Sequence, residues 1–139
     1  MQLAPIPDSH RDLLDRPIDA VLVTVMPDGQ PQATVVWCNL DDPFVMINTM
    51  EGFRKERNMR ANPKVALLVV DPQSASRWIE VRGTVELVDV GAREHLDDLA
   101  ALYTDASRYF GEVVPAELAD TEVPVTGRIT PIRVRAETF

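Results

Sequence analysis

Short β-branched apolar runs recur along this chain, and residues 77–90 alternate apolar and polar positions; both patterns point to strands. Residues 19–26 (DAVLVTVM) and 32–39 (QATVVWCN) are β-branched apolar runs. Pro27-Asp28-Gly29-Gln30 between them has the residue types of a turn, which predicts a hairpin. Asp41-Asp42-Pro43 turns the chain into a third strand over 44–49, and further strands follow over 64–70, 77–90 and 127–135. Gly83 interrupts the long run 77–90 and marks a bulge or bend. The period changes to that of a helix in two places. Residues 53–62 end at Pro63, and residues 94–104 place Leu96, Leu99, Leu102 and Tyr103 on an apolar stripe. Asp8 and Ser9 are positioned to cap a short helix running through Leu14, while 110–125 reads as irregular, with a short helix after Pro115.

These elements predict a mainly β fold with short helices: about six strands, mostly in antiparallel hairpins, in a small barrel. The 139 residues suffice for one domain, with 1–139 read as a single unit. No apolar run approaches the roughly 20 residues that span a bilayer, and the first residues lack a charged-then-apolar signal pattern, so a cytoplasmic location is the default expectation. Cys38 is the sole cysteine, which excludes an intrachain disulfide.

Charge narrows the function. The chain has 14 Lys+Arg against 22 Asp+Glu, a formal net charge of -8, and this argues against nucleic acid as a partner. Yet residues 51–64 (EGFRKERNMRANPK) gather Arg54, Lys55, Arg57, Arg60 and Lys64. Arg54 and Lys55 fall in the first turn of the predicted helix, where free N–H groups and the positive dipole end favour an anion such as a phosphate. Arg54, Arg57 and Asn58 share a helix face by spacing. The competing reading is a solvated basic face whose cations pair with surface acids.

Other chemistries find little support. Cys38 lies in an apolar strand and reads as a buried, inert thiol. His10 and His95 are paired with no nucleophile, two isolated histidines and one cysteine give no metal-ligand spacing, and Asp41-Asp42 reads as a turn. His95 as an axial haem ligand stays open. An anion site without acid, base, nucleophile or metal leaves a phosphorylated cofactor that carries the chemistry itself.

The order of these segments resembles the pyridoxamine 5'-phosphate oxidase-like split-barrel flavoprotein superfamily. The resemblance rests on Asp28-Gly-Gln-Pro31, the strand Gln32 to Trp37, the strand Phe44 to Thr49 followed by Arg54-Lys55, and the run Arg77 to Glu86. Lys55-x-Arg57-Asn58-x-x-x-Asn62-Pro63 is similar to the branch that uses coenzyme F420, a 5-deazaflavin. The resemblance implies a split β-barrel, FMN-binding-protein-like, acting as a homodimer with cofactor at the interface. It implies that Thr49, Arg54 and Lys55 hold the cofactor phosphate with Arg57 and Asn58 nearby. The main chain from Thr34 through Val36 to Trp37 would face the ring, and Asn48 would lie near the phosphate or ribityl chain. Arg77 and Trp78 would approach from the partner subunit or the edge of the site. One residue departs from the pattern: Trp78 stands where FMN-binding oxidases usually place glutamine. Trp78 has a second reading as a core or dimer-interface residue, and Trp37 has a similar one, as a residue pointing into the barrel. The implied activity is hydride transfer from reduced coenzyme F420 to an unsaturated or quinone-like small molecule. FMN as the cofactor, and a non-catalytic binder of flavin, deazaflavin or haem, are the alternatives.

Overall fold

The computed structural model describes residues 2–139. Seven strands form one antiparallel sheet: β1 (Ala20–Val25), β2 (Pro31–Val36), β3 (Cys38–Asp41), β4 (Phe44–Met50), β5 (Lys64–Asp71), β6 (Ser74–Val88) and β7 (Pro124–Thr138). Their order across the sheet is β2-β1-β5-β6-β7-β4-β3. β2 and β3 are joined through Trp37 alone, yet they occupy opposite edges of that order. One residue spans only about 3.5 Å, so the two edges must meet and the sheet must curl into a barrel split at Trp37. The continuous strand expected over 32–39 is therefore two strands. Up to Val36 the chain pairs with β1, and from Cys38 it pairs with β4.

Alternation places one face of each strand inside the barrel. Val65, Leu67 and Val69 of β5, Ile79 and Val81 of β6, and Val45 and Ile47 of β4 are buried in one cluster. Helix α1 (Asp12–Asp15) adds Leu13 and Leu14 to it. It follows a 3-10 turn, Asp8–His10, and neither Asp8 nor Ser9 caps a helix. Ser9 Oγ instead meets His10 Nδ1 at 2.8 Å, and His10 Nε2 donates to the Glu137 carbonyl at 2.8 Å, fastening the N-terminal segment to β7.

Gly83 lies at a register shift between β6 and β7, as its place in the pattern predicts. A Cβ there would run into the Thr130 carbonyl oxygen, so the bulge admits only glycine. The loop expected over 71–76 is a tight turn, with Asp71 opposite Ser74. The last strand extends beyond 127–135 at both ends. Helix α2 (Arg54–Ala61) crosses between β4 and β5, and α3 (Ala92–Tyr103) packs on β4 and β7. No helix among the described residues is long and apolar enough to cross a membrane.

Candidate functional site

α2 starts where its sequence requires. Gly52, at φ 86°, makes the left-handed turn after β4 that a residue with a Cβ adopts only with strain. Glu56 then reaches back, its Oε1 accepting the Gly52 N–H at 2.7 Å and its Oε2 accepting Arg60 Nε–H at 2.6 Å. Both oxygens of the one buried carboxylate in this stretch are thereby used. Among the described residues Arg54, Lys55 and Arg57 make no salt bridge, and only Arg60 of the helix pairs with an acid. A face of mutually neutralised surface charges would not have this pattern.

A cavity of about 230 Å³ opens beside the helix start, where the ends of β2 and β4 meet α3. Lys55 lines it together with Thr49, Asn48, Trp37 and Val36. Burial lowers the Lys55 pKa below the ordinary lysine value, the mark of an ammonium with too little water and no counter-charge. Thr49 Oγ1 is buried and has no hydrogen-bond partner among the described residues, and neither does Asn48 Oδ1. Thr49 and Lys55 both line this cavity, and an unpaired hydroxyl beside an ammonium suits a phosphate, which accepts from both.

The remaining candidates lie elsewhere. Thr34 is in β2 outside the cavity wall, with Oγ1 buried and unpartnered. Arg54 is half-buried and Arg57 exposed on α2, both outside the cavity wall. Asn58 does not share their face. It is 1% exposed, and its Nδ2 donates to Thr24 Oγ1 at 3.1 Å and Gln32 Oε1 at 3.2 Å, tying α2 to the β1–β2 hairpin. Arg77 is held by Asp12 and Asp71, with Nη1 to Asp71 at 3.0 Å. Trp78 lies on the outer face of β6, not in the core, with the Arg135 guanidinium 5.4 Å above its ring. Trp37 is half-buried between the rings of Tyr103 and Tyr109.

Val35, within the stretch expected to face the ring, is also in the wall, and residues not proposed for the site complete it: Met50, Phe53, Leu96 and Tyr109. Tyr109 stands just before the irregular segment 110–125, its N–H donating to Asp97 Oδ1 at 2.8 Å, and it is Tyr109 that walls the cavity.

His95 sits in a closed network. The Ala92 carbonyl can only accept, so it fixes Asn48 Nδ2 at 2.9 Å. His95 Nδ1 lies 3.1 Å from both Asn48 Nδ2 and Thr126 Oγ1, either of which can donate to it, and Nε2–H donates to Asn39 Oδ1 at 2.7 Å. Both ring nitrogens are engaged, which argues against iron ligation. Burial lowers the His95 pKa, with Asp98 and Asp41 opposing. The folded state thus favours the neutral ring. Its contribution to stability is complete above the ordinary value of about 6.5 and is lost as pH falls through the lower folded value. Chemical denaturation between pH 7 and 5 should show a steeper loss for the native protein than for His95→Gln.

Cys38 is fully buried, and burial pushes its thiol up to about 11. It should resist alkylation by iodoacetamide at pH 7.5 in the native state and react promptly once denatured; mass spectrometry separates the two. Among the described residues no three His, Cys, Asp or Glu side chains converge as a metal site.

Comparison with known proteins accords with this geometry. The family model described as pyridoxamine 5'-phosphate oxidase matches residues 6–136. The chain belongs to that family. Members are flavin-dependent oxidoreductases sharing the split-barrel fold. A solved F420 reductase is 32% identical, with a TM-score of 0.79 over 94% of this chain and 98% of that one. A hypothetical protein from Mycobacterium tuberculosis is 25% identical, with a TM-score of 0.74 over 98% of this chain and 86% of its own. A pyridoxine/pyridoxamine 5'-phosphate oxidase from Rubrobacter xylanophilus is 40% identical over 72 residues, 51% of this chain and 33% of that protein. The chain thus spans about a third of the length of the curated relatives it matches.

Proposed function

We propose that this chain is an oxidoreductase that binds reduced coenzyme F420 in the cavity at the start of α2 and reduces an unsaturated or quinone-like small molecule. The observation that carries this reading is the half-buried Lys55 ammonium, without an acid partner among the described residues, beside the buried and unpartnered Thr49 hydroxyl. Lys55 and Thr49 would hold the cofactor phosphate, with Arg54 and Arg57 adding positive potential from the same helix. The main chain of Val35 to Trp37 would bound the ring, and Asn48, oriented by Ala92 and His95, would steady the chain between ring and phosphate. The bound deazaflavin would supply the hydride. Support for the deazaflavin comes from the F420 reductase that matches nearly end to end, and from Trp78 in place of a glutamine.

The proposal includes a second copy of the chain. A cavity of about 230 Å³ is smaller than the roughly 300 Å³ at which ligand sites usually begin, so one chain supplies part of the site. The outer faces of β1, β5 and β6 carry Val21, Val23, Leu68, Val70 and Trp78 around an apolar groove that a second copy would cover. Arg77 immediately precedes Trp78 in β6.

FMN is the second reading, favoured by the curated relatives, which are pyridoxine/pyridoxamine 5'-phosphate oxidases. Parallel fluorescence titrations with coenzyme F420 and FMN test the choice. Micromolar or tighter binding of the deazaflavin with weaker FMN binding is expected. A preference for FMN would overturn the F420 assignment and retain the anion site. Tight binding without turnover of any enone or quinone acceptor would make the protein a carrier.

A further inference from the structure

The break between β2 and β3 needs a device to hold it. At Trp37 the chain leaves one neighbour strand for another, and Cys38 and Ile18, both buried, present main-chain groups there. The hydroxyl of Tyr103, from the last turn of α3, closes the gap. It accepts the Cys38 N–H at 3.1 Å and donates to the Ile18 carbonyl at 2.8 Å, with the Cys38 carbonyl at 3.1 Å. Its ring stacks on Trp37 with centroids 5.2 Å apart and planes 18° from parallel, while Tyr109 meets Trp37 edge-on at 6.2 Å and 83°.

Trp37 is the partition between two cavities. On one side is the site described above, and on the other a cavity of about 470 Å³ lined by Ile18, Asp19 and Tyr103. Tyr103 lines only the second. It therefore reaches the candidate site through Trp37 and not by contact.

We infer that Tyr103 is a positioning residue for the cofactor site: its hydroxyl bridge and its ring fix the Val35–Trp37 wall against which the cofactor ring lies. This rests on the reading that the cavity takes a flavin-type cofactor. Tyr103→Phe keeps the stack and removes the bridge. A buried N–H is then left unpaired at the break, and the wall loses its fixed position. Residues that act without touching a ligand commonly change its affinity by roughly threefold to thirtyfold.

The experiment is a set of fluorescence titrations with coenzyme F420 and FMN on the native protein, Tyr103→Phe, Trp37→Leu, Lys55→Ala and the double variants with Tyr103→Phe. Thermal melts establish that each is folded. Tyr103→Phe should weaken whichever cofactor the native protein binds by about tenfold. The same change should add less than about twofold in the Trp37→Leu background and its full factor in the Lys55→Ala background, because it acts through the ring wall and not the phosphate end. Unchanged affinity in Tyr103→Phe overturns the inference, as does an equal loss in both backgrounds. Should Tyr103→Phe not fold, Trp37→Leu decides: weakened binding supports the wall, and native affinity overturns it. Native protein that binds neither cofactor refutes the cofactor reading itself, and the inference falls with it.

Discussion

Lys55→Ala should raise the dissociation constant of the bound cofactor by at least about tenfold, with a much smaller effect on any chemical step. Hydrogen bonds to charged groups contribute roughly 1.5–3 kcal/mol, and each 1.4 kcal/mol is a factor of ten. The upper part of that range applies because the ammonium is partly desolvated and Glu56, the acid nearest in sequence, is fully occupied by Gly52 and Arg60. Lys64→Ala is the control. Lys64 is exposed at the start of β5 and belongs to the same basic stretch, so its loss should change affinity by no more than about twofold. Titration of both variants at low and physiological salt checks this. An unchanged curve for Lys55→Ala would place the phosphate elsewhere.

Gly83→Ala should be the most damaging small substitution in the barrel. The added methyl meets the Thr130 carbonyl and the Pro131 main chain, and a paired strand cannot rotate its backbone aside as a side chain would. Overpacking usually costs about 1–3 kcal/mol, and a backbone obstacle puts this site at or above the top of that range. At this chain length that corresponds to a fall in melting temperature on the order of 10 °C. Differential scanning calorimetry measures it. A loss under about 1 kcal/mol would mean that β6 and β7 separate easily at the bulge, contrary to their long, regular pairing on either side.

The two cases show what a sequence discloses. Gly83 was legible as a bulge because a lone glycine in an alternating run has few other uses. The start of α2 was legible too: Glu51-Gly52 breaks the strand pattern, and the basic residues cluster just beyond it. The split at Trp37 was not legible, because Val35-Val36-Trp37-Cys38 is an unbroken apolar run that crosses the break without a turn residue. What changes there is the partner strand, which local pattern does not encode. Asn58 was misplaced for a related reason. Helical spacing puts it beside Arg54 and Arg57, but its side chain finds Thr24 and Gln32 on the hairpin beneath the helix. Tyr103 registered only as part of an apolar stripe, and its hydroxyl acts on Cys38, 65 positions away.

The central claim is that the cavity at the start of α2 receives the phosphate of a flavin-type cofactor. A crystal structure of the protein with coenzyme F420, or with FMN if that binds more tightly, tests it most directly. The account predicts phosphate oxygens within hydrogen-bonding distance of Lys55 Nζ and Thr49 Oγ1, with the ring beside Val36 and Trp37 and a second copy of the chain closing the site. A cofactor bound with its phosphate away from Lys55 and Thr49 would contradict it.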